Sequence, residues 1–197
     1  PINVSELNID FYVFSAHKLY GPTGLGVCYA KTELLEQMTP WHGGGKMLTH
    51  VTFDNFTLAP IPQRFEAGTP NIAGVIAFSA TLEWLEKINL TLAETYTCSL
   101  IEYAAKKLSA LPGFISYSVP HSPLLSFNFK DVHHSDLGAL LTEQNIALRY
   151  GQHCTQPLMD ALNISGCLRI SMMPYNNQQD VDKFIDAVTV SLSILNE

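Results

Sequence analysis

Positive charge is scarce in this sequence. Its 197 residues hold 11 lysines and arginines against 18 acids, a net charge of −7, and the basic residues are scattered apart from Lys106-Lys107. A nucleic-acid binder needs a basic face that displaces phosphate counterions, and no such cluster is encoded. Long apolar runs are missing too. The most apolar stretch, Ile72 to Ile88, is interrupted by Ser79, Thr81, Glu83 and Glu86, so no membrane-spanning segment is expected. The opening PINVSELNID has no basic region followed by an apolar core, as a secretory signal would. It also lacks an initiator Met, so the chain is expected to be processed or a piece of something longer. The four cysteines, at 28, 98, 154 and 167, form no CxxC pair. Free thiols and a cytoplasmic location are the expectation. Internal repeats and low-complexity segments are absent as well, which leaves a globular chain, 47% hydrophobic, with material for one large core or two small ones.

DFYVFS (10–15) and GLGVCYA (24–30) read as buried strands separated by the GPTG break. Thr32 is placed to cap a short helix that ends before Pro40. Thr39 to Pro70 shows no period and is rich in Gly and Pro, which predicts a loop that covers a site or reaches a partner subunit. Asn71 opens a helix carrying Ile72, Val75, Ile76, Leu82 and Leu85, and Thr91 with Glu94 is a capping-box pattern that opens another. The break near Asn89 predicts two domains, 1–89 and 90–197. Beyond it, residues 114–119 and 124–129 have period two, as strands with one buried face do. A helix is predicted over 135–144 and a short strand over 146–149. In the strand 167–172, Leu168, Ile170 and Met172 share one face while Arg169 and Ser171 share the other. The last helix starts near Asn177 and carries the stripe Val181, Phe184, Ile185, Val188, Leu192 and Leu195. The fold class is α/β or α+β.

Four places carry chemistry. Lys18 ends Ser15-Ala16-His17-Lys18, after a strand and before a Gly-rich turn, where α/β folds hold ligands. If partly buried, its amine becomes a nucleophile for an aldehyde; otherwise it is a surface lysine. Cys154 lies in RYGQHCTQP between a strand and a helix, with Arg149 and His153 near in sequence, as an activated thiol or an inert one. Arg169, on the polar face of its strand, has the planar fork that clamps a carboxylate, although such an arginine is more often only solvated. Gly68 and Thr69 precede a helix start, where backbone amides and a hydroxyl suit a phosphate or form an ordinary cap. His133-His134 with Asp136 lacks the ligand spacing of a metal site, and no metal is expected. Cys28, Cys98 and Cys167 read as filler with nothing polar beside them. A Schiff-base lysine, a phosphate cradle, a carboxylate clamp and a mobile thiol together point to pyridoxal phosphate and an amino acid whose side chain is attacked by sulfur.

Five ordered segments carry a resemblance. DFYVFSAHKLYGPTGLGV, GGGKM, RFEAGTPN, RYGQHCTQP and LRISMMPYN resemble those of the class V aminotransferase-like cysteine desulfurases, nearest the group II (SufS and CsdA) type. The resemblance spans essentially the whole chain. It implies a fold type I α/β architecture: the C-terminal remnant of a large cofactor domain (1–89) and a complete small α+β domain (90–197). It implies that Lys18 holds pyridoxal phosphate covalently, that Ser15 and His17 hold its phosphate, and that Thr69 with Gly68 reaches the phosphate of the neighbouring subunit in a homodimer. Arg169 would bind the substrate carboxylate, with Arg149 near the catalytic loop. Cys154 would take the sulfur of L-cysteine as a persulfide, leaving alanine, and pass it to a sulfur-acceptor protein. Two departures stand out. Ala16 replaces the usual glycine, and members are about twice as long, so the ring that stacks on the cofactor and the acid that pairs with its pyridine nitrogen have no counterpart here. An isolated chain of this length is therefore expected to bind the cofactor poorly and turn over little. Selenocysteine or cysteine sulfinate as substrate, a non-catalytic interaction module, and a Cys/His hydrolase are the competing readings.

Overall fold

Phe11–Ser15 (β1) and Gly26–Ala30 (β2) pair antiparallel, with Phe11 opposite Ala30 and Ser15 opposite Gly26. In the computed structural model, which describes residues 2–196, the chain divides into two compact units, Pro1–Ile88 and Asn89–Glu197.

The first unit has few buried side chains. Phe14 of β1 faces Phe78 of the helix Ile72–Leu85 (α2), ring centroids 6.3 Å apart, while Phe11 and Val13 point outward, Val13 69% exposed. The two-sided burial expected of β1 and β2 is thus corrected. In a two-stranded sheet, apolar continuity within a strand does not decide what covers each face. Lys31 stands at the N-cap of the helix Thr32–Gln37 (α1), so Thr32 is its first residue rather than its cap. Leu48–Val51 (β3) and Phe56–Leu58 (β4) form a short antiparallel hairpin inside the stretch expected to be irregular. Asn71 caps α2, its Oδ1 accepting from the Gly74 amide at 2.9 Å.

The second unit is a two-layer α/β sandwich. Its antiparallel sheet runs β5-β6-β8-β7, where β5 is Phe114–Ser116, β6 Leu124–Phe129, β7 Arg149–Gly151 and β8 Cys167–Ser171. One face carries Leu125, Phe127, Phe129, Leu168 and Ile170, packed under three helices: α3 (Leu90–Leu108), α4 (His134–Glu143) and α6 (Gln178–Leu195). The short helix Gln156–Leu162 (α5) joins β7 to β8. Strand alternation puts Ser126, Asn128, Arg149 and Arg169 on the opposite face. The cap of α3 is Asn89, whose Oδ1 accepts from the Leu92 amide at 3.0 Å, so Thr91 and Glu94 lie inside the helix instead of opening it. β5 is shorter than the period-two run at 114–119. β7 starts at Arg149 rather than 146, because Asn145 turns left-handed (φ 62°) and the Ile146 amide closes α4 on Leu141.

Candidate active site

In the first unit, β1 runs into a 3-10 turn, Ala16–Lys18, that fixes Ser15, His17 and Lys18 in sequence. The turn is sealed beneath by Ala16, fully buried, whose carbonyl accepts from the Leu19 and Gly21 amides, both at 2.9 Å. A Cβ on Gly21 would stand 2.6 Å from the Phe78 ring and 2.9 Å from the Ala16 carbonyl, so the close return of the chain requires glycine there. Ala16 itself does not have positive φ, so the backbone there does not require glycine. Lys18 and His17 are exposed, so the partial burial that would activate the Lys18 amine is not supplied by this unit. Gly68 (φ 83°) donates its amide to Gly45, and Thr69 is exposed just ahead of α2. Asn71, expected only to open the helix, makes a second contact here. Its Nδ2 donates to the Gly24 carbonyl at 3.3 Å, tying the start of α2 to the turn that follows Lys18.

In the second unit, β7 and β8 place Arg149 directly opposite Arg169, with Ser126 of β6 on the other side of Arg169. Gly151 (φ 110°), His153 (φ 55°) and Cys154 (φ 62°) follow with left-handed backbones. That conformation is costly for the two non-glycine residues and persists only where the surroundings hold it. The loop presents Cys154 exposed, its Sγ 3.3 Å from Arg149 Nη2. His153 does not turn to the thiol. Its Nε2 lies 2.9 Å from the Cys167 carbonyl, and burial holds its imidazole below the ordinary histidine pKa, with Arg169 and Arg149 adding repulsion. The Arg149–sulfur contact and the His153 anchor were not legible, because neighbours in sequence need not point the same way.

Among the described residues no carboxylate lies within 4.0 Å of Lys18, Arg149 or Arg169. Arg169 Nε is buried without a hydrogen-bond partner. The other cysteines divide. Cys28 is exposed, Cys98 is half-buried beside Glu94 and Glu102, and Cys167 is buried with Ser126 and Arg169 acting on its thiol; burial raises the pKa of both Cys98 and Cys167. The expectation of Cys98 and Cys167 as unattended filler is corrected by those polar neighbours.

Comparison with known proteins now bears on the chain. Residues 1–184 match the family described as aminotransferase class-V. Cysteine desulfurase CsdA of Escherichia coli (strain K12) is 53% identical over 195 residues, covering 99% of this chain and 49% of that protein. A probable cysteine desulfurase of Pasteurella multocida is 46% identical over 197 residues, covering 100% of this chain and 47% of that protein. A crystal structure of the E. coli CsdA enzyme in an S-sulfonic acid form superposes with a TM-score of 0.96 at 52% identity, over 98% of this chain and 49% of that one. An apo cysteine desulfurase from Thermococcus onnurineus NA1 gives 0.91 at 34% identity, over 99% of this chain and 49% of that one. The chain spans about half the length of the curated relatives it matches. Its α/β architecture is that of the cysteine desulfurase structures, the fold type I class of pyridoxal-phosphate enzymes, and the chain belongs to the class-V aminotransferase family.

Proposed function

We propose that the whole protein is a pyridoxal-phosphate-dependent cysteine desulfurase. The carrying observation is an exposed thiol, Cys154, held on a left-handed loop 3.3 Å from Arg149, beside an Arg169 with no carboxylate partner among the described residues. The residues fit the cofactor: Lys18, with no carboxylate partner among the described residues, flanked by Ser15 and His17 for the phosphate, with exposed Thr69 offering its hydroxyl to a phosphate across a homodimer and Gly68, its own amide bonded to Gly45, shaping the turn beside it. When bound, the cofactor supplies the electron sink for the substrate's carbon centre. Residues 1–89 are the C-terminal part of the cofactor domain and 90–197 the small domain.

The chain's own residues do the rest. Arg169 binds the carboxylate of L-cysteine in its fork. Arg149 holds the sulfur in place through its 3.3 Å contact from Nη2. Cys154 attacks the substrate sulfur. The sulfur–sulfur bond forms as the substrate's carbon–sulfur bond breaks, the carbon fragment takes a proton and leaves as alanine, and Cys154 keeps a persulfide for a sulfur-acceptor protein in the cytoplasm. Selenocysteine or cysteine sulfinate would use the same carboxylate clamp.

In the full-length protein, borohydride reduction after cofactor addition should give one adduct, on Lys18, and cysteine should place one sulfur on Cys154, both by mass spectrometry. Cys154→Ala should abolish alanine release from cysteine. Labelling scattered over surface lysines, or turnover unaffected by Cys154→Ala, would sink the reading. The 197-residue chain alone should label weakly.

A further inference from the structure

We propose that His153 is a positioning residue: a neutral imidazole whose Nε2–H pins the Cys154 loop to the Cys167 carbonyl of β8, so that the thiol stays in its left-handed pose against Arg149. The inference rests on Cys154 being the sulfur-accepting thiol, and it extends that reading to the device that aims the sulfur.

Three observations carry it. First, a carbonyl only accepts, so the 2.9 Å contact between Nε2 and the Cys167 oxygen fixes the proton on Nε2 and leaves Nδ1 as a bare lone pair. Nδ1 is buried and has no partner, so there is no acceptor for a second proton. Arg169 and Arg149 from the sheet and His134 from α4 are the charged and titratable groups that act on the ring, and none of them favours an imidazolium. Second, the residues to be held are under backbone strain. His153 and Cys154 are consecutive non-glycine residues at φ 55° and 62°, a conformation that relaxes unless something outside the loop opposes it. Within the loop, the Thr155 hydroxyl reaches the Gln152 carbonyl; among the described residues, the side-chain bonds that tie residues 152–154 to the sheet are His153 Nε2 to Cys167 of β8 and Cys154 Sγ to Arg149 of β7. Arg149 is itself on β7, so it fixes the sulfur only if the backbone already brings it within reach. Third, the acceptor is rigid. Cys167 is 2% exposed, pairs with Gly151 in the β7–β8 ladder, and follows Gly166, where a Cβ would come 2.8 Å from Gly151 C and 2.5 Å from His134 Nε2. A thiol that must meet a substrate sulfur in line gains from such anchoring, because a displacement of about 1 Å costs on the order of a hundredfold in rate.

The test uses the full-length holoenzyme and two variants. His153→Gln keeps an amide donor where Nε2 stands; His153→Phe keeps the ring and loses the donor. Nitrogen-15 imidazole shifts of the wild type should show the Nε2–H tautomer. In His153→Phe, kcat for cysteine should fall about tenfold or more with KM little changed, and amides 152–155 should exchange faster; His153→Gln should recover most of both. An Nδ1–H tautomer, or a His153→Phe protein with wild-type exchange and kcat, overturns the proposal. If His153→Phe fails to fold, the wild-type tautomer and His153→Gln decide: loss of kcat in a folded His153→Gln protein that exchanges as wild type also overturns it. Should Cys154 never carry sulfur in the wild type, the desulfurase reading fails, while tautomer and exchange still judge the anchor.

Discussion

Two arginines on one face of a sheet repel each other unless something anionic joins them, and here neither has a carboxylate partner among the described residues. Their separate duties divide the kinetic constants. Arg169→Ala in the full-length enzyme should raise KM for cysteine by about 10- to 100-fold, the weight of charged hydrogen bonds to one carboxylate. Arg169→Lys should recover only part, because an ammonium cannot grip both oxygens. Arg149→Ala should act mainly on kcat, since its Nη2 touches the thiol; steady-state assays of both variants distinguish the roles. Equal KM effects from the two would contradict this division. Glycines at the same edge make a second residue-level test. A methyl on Gly166 would meet backbone at Gly151, which cannot swing away, and a methyl on Gly138 would meet the root of the Tyr150 ring, Cγ at 2.6 Å. Gly166→Ala and Gly138→Ala should each therefore destabilise by about 1–3 kcal/mol in urea unfolding.

Helix termini and strand ends are where elements are won or lost. Asn177 holds α6 with a full capping box, accepting from the Gln179 and Asp180 amides while Asp180 accepts from the Asn177 amide at 3.0 Å. Asn177→Ala should cost about 1 kcal/mol, read from the urea midpoint. At the start of α4, His134 packs in the interior with its ring 4.3 Å from that of His133. Burial lowers its pKa, with His133 and His153 adding to the effect, against a bond from the Ser165 backbone and the charge of Asp136. Both imidazoles, buried His134 and half-buried His153, thus take protons less readily in the fold than once unfolded. Their stabilisation is complete above the ordinary imidazole value of about 6.5 and is lost as pH falls below it toward the lower folded values. Urea midpoints should drop between pH 7.5 and 5.5, and His134→Gln should flatten that dependence; an unchanged slope would remove His134 from the account.

Much of this was readable in the sequence. The stripe from Val181 to Leu192 lies on the core side of α6, and strand alternation put Arg169 opposite Leu168 and Ile170. What was not readable depended on partners distant in sequence. Asn89 rather than Thr91 caps α3, because two candidates two residues apart compete for the same amides. Phe11 and Val13 are as apolar as any core residue, yet their exposure is set by what lies over the strand. His153 stands beside Cys154 in sequence, which leaves open where its ring points, and only the fold shows its Nε2 committed to a carbonyl thirteen residues past that cysteine.

At the scale of the whole molecule, burial is distributed unevenly. The continuous core of Leu100, Leu108, Phe127, Leu137, Leu168, Phe184 and Val188 belongs entirely to the second unit. The first unit buries Ala16, Met47, Ala59, Phe78 and Leu85 and leaves Trp41 and Phe53 almost fully exposed. Apolar area removed from water is the main favourable term in folding, so the two units have unequal stabilities. The isolated chain should unfold in two transitions. The weaker one should follow the first unit, reported by hydrogen exchange in α2 and β1. The stronger one should follow the second. Phe127→Ala empties the centre of the larger core and should cost about 3–5 kcal/mol. That loss should move the upper transition alone, because Phe127 packs among Phe114, Phe129 and Phe184 of its own unit. A shift of both transitions by the same amount would show that the units fold as one cooperative body, and the Cys154 loop would then share its stability with the Lys18 turn.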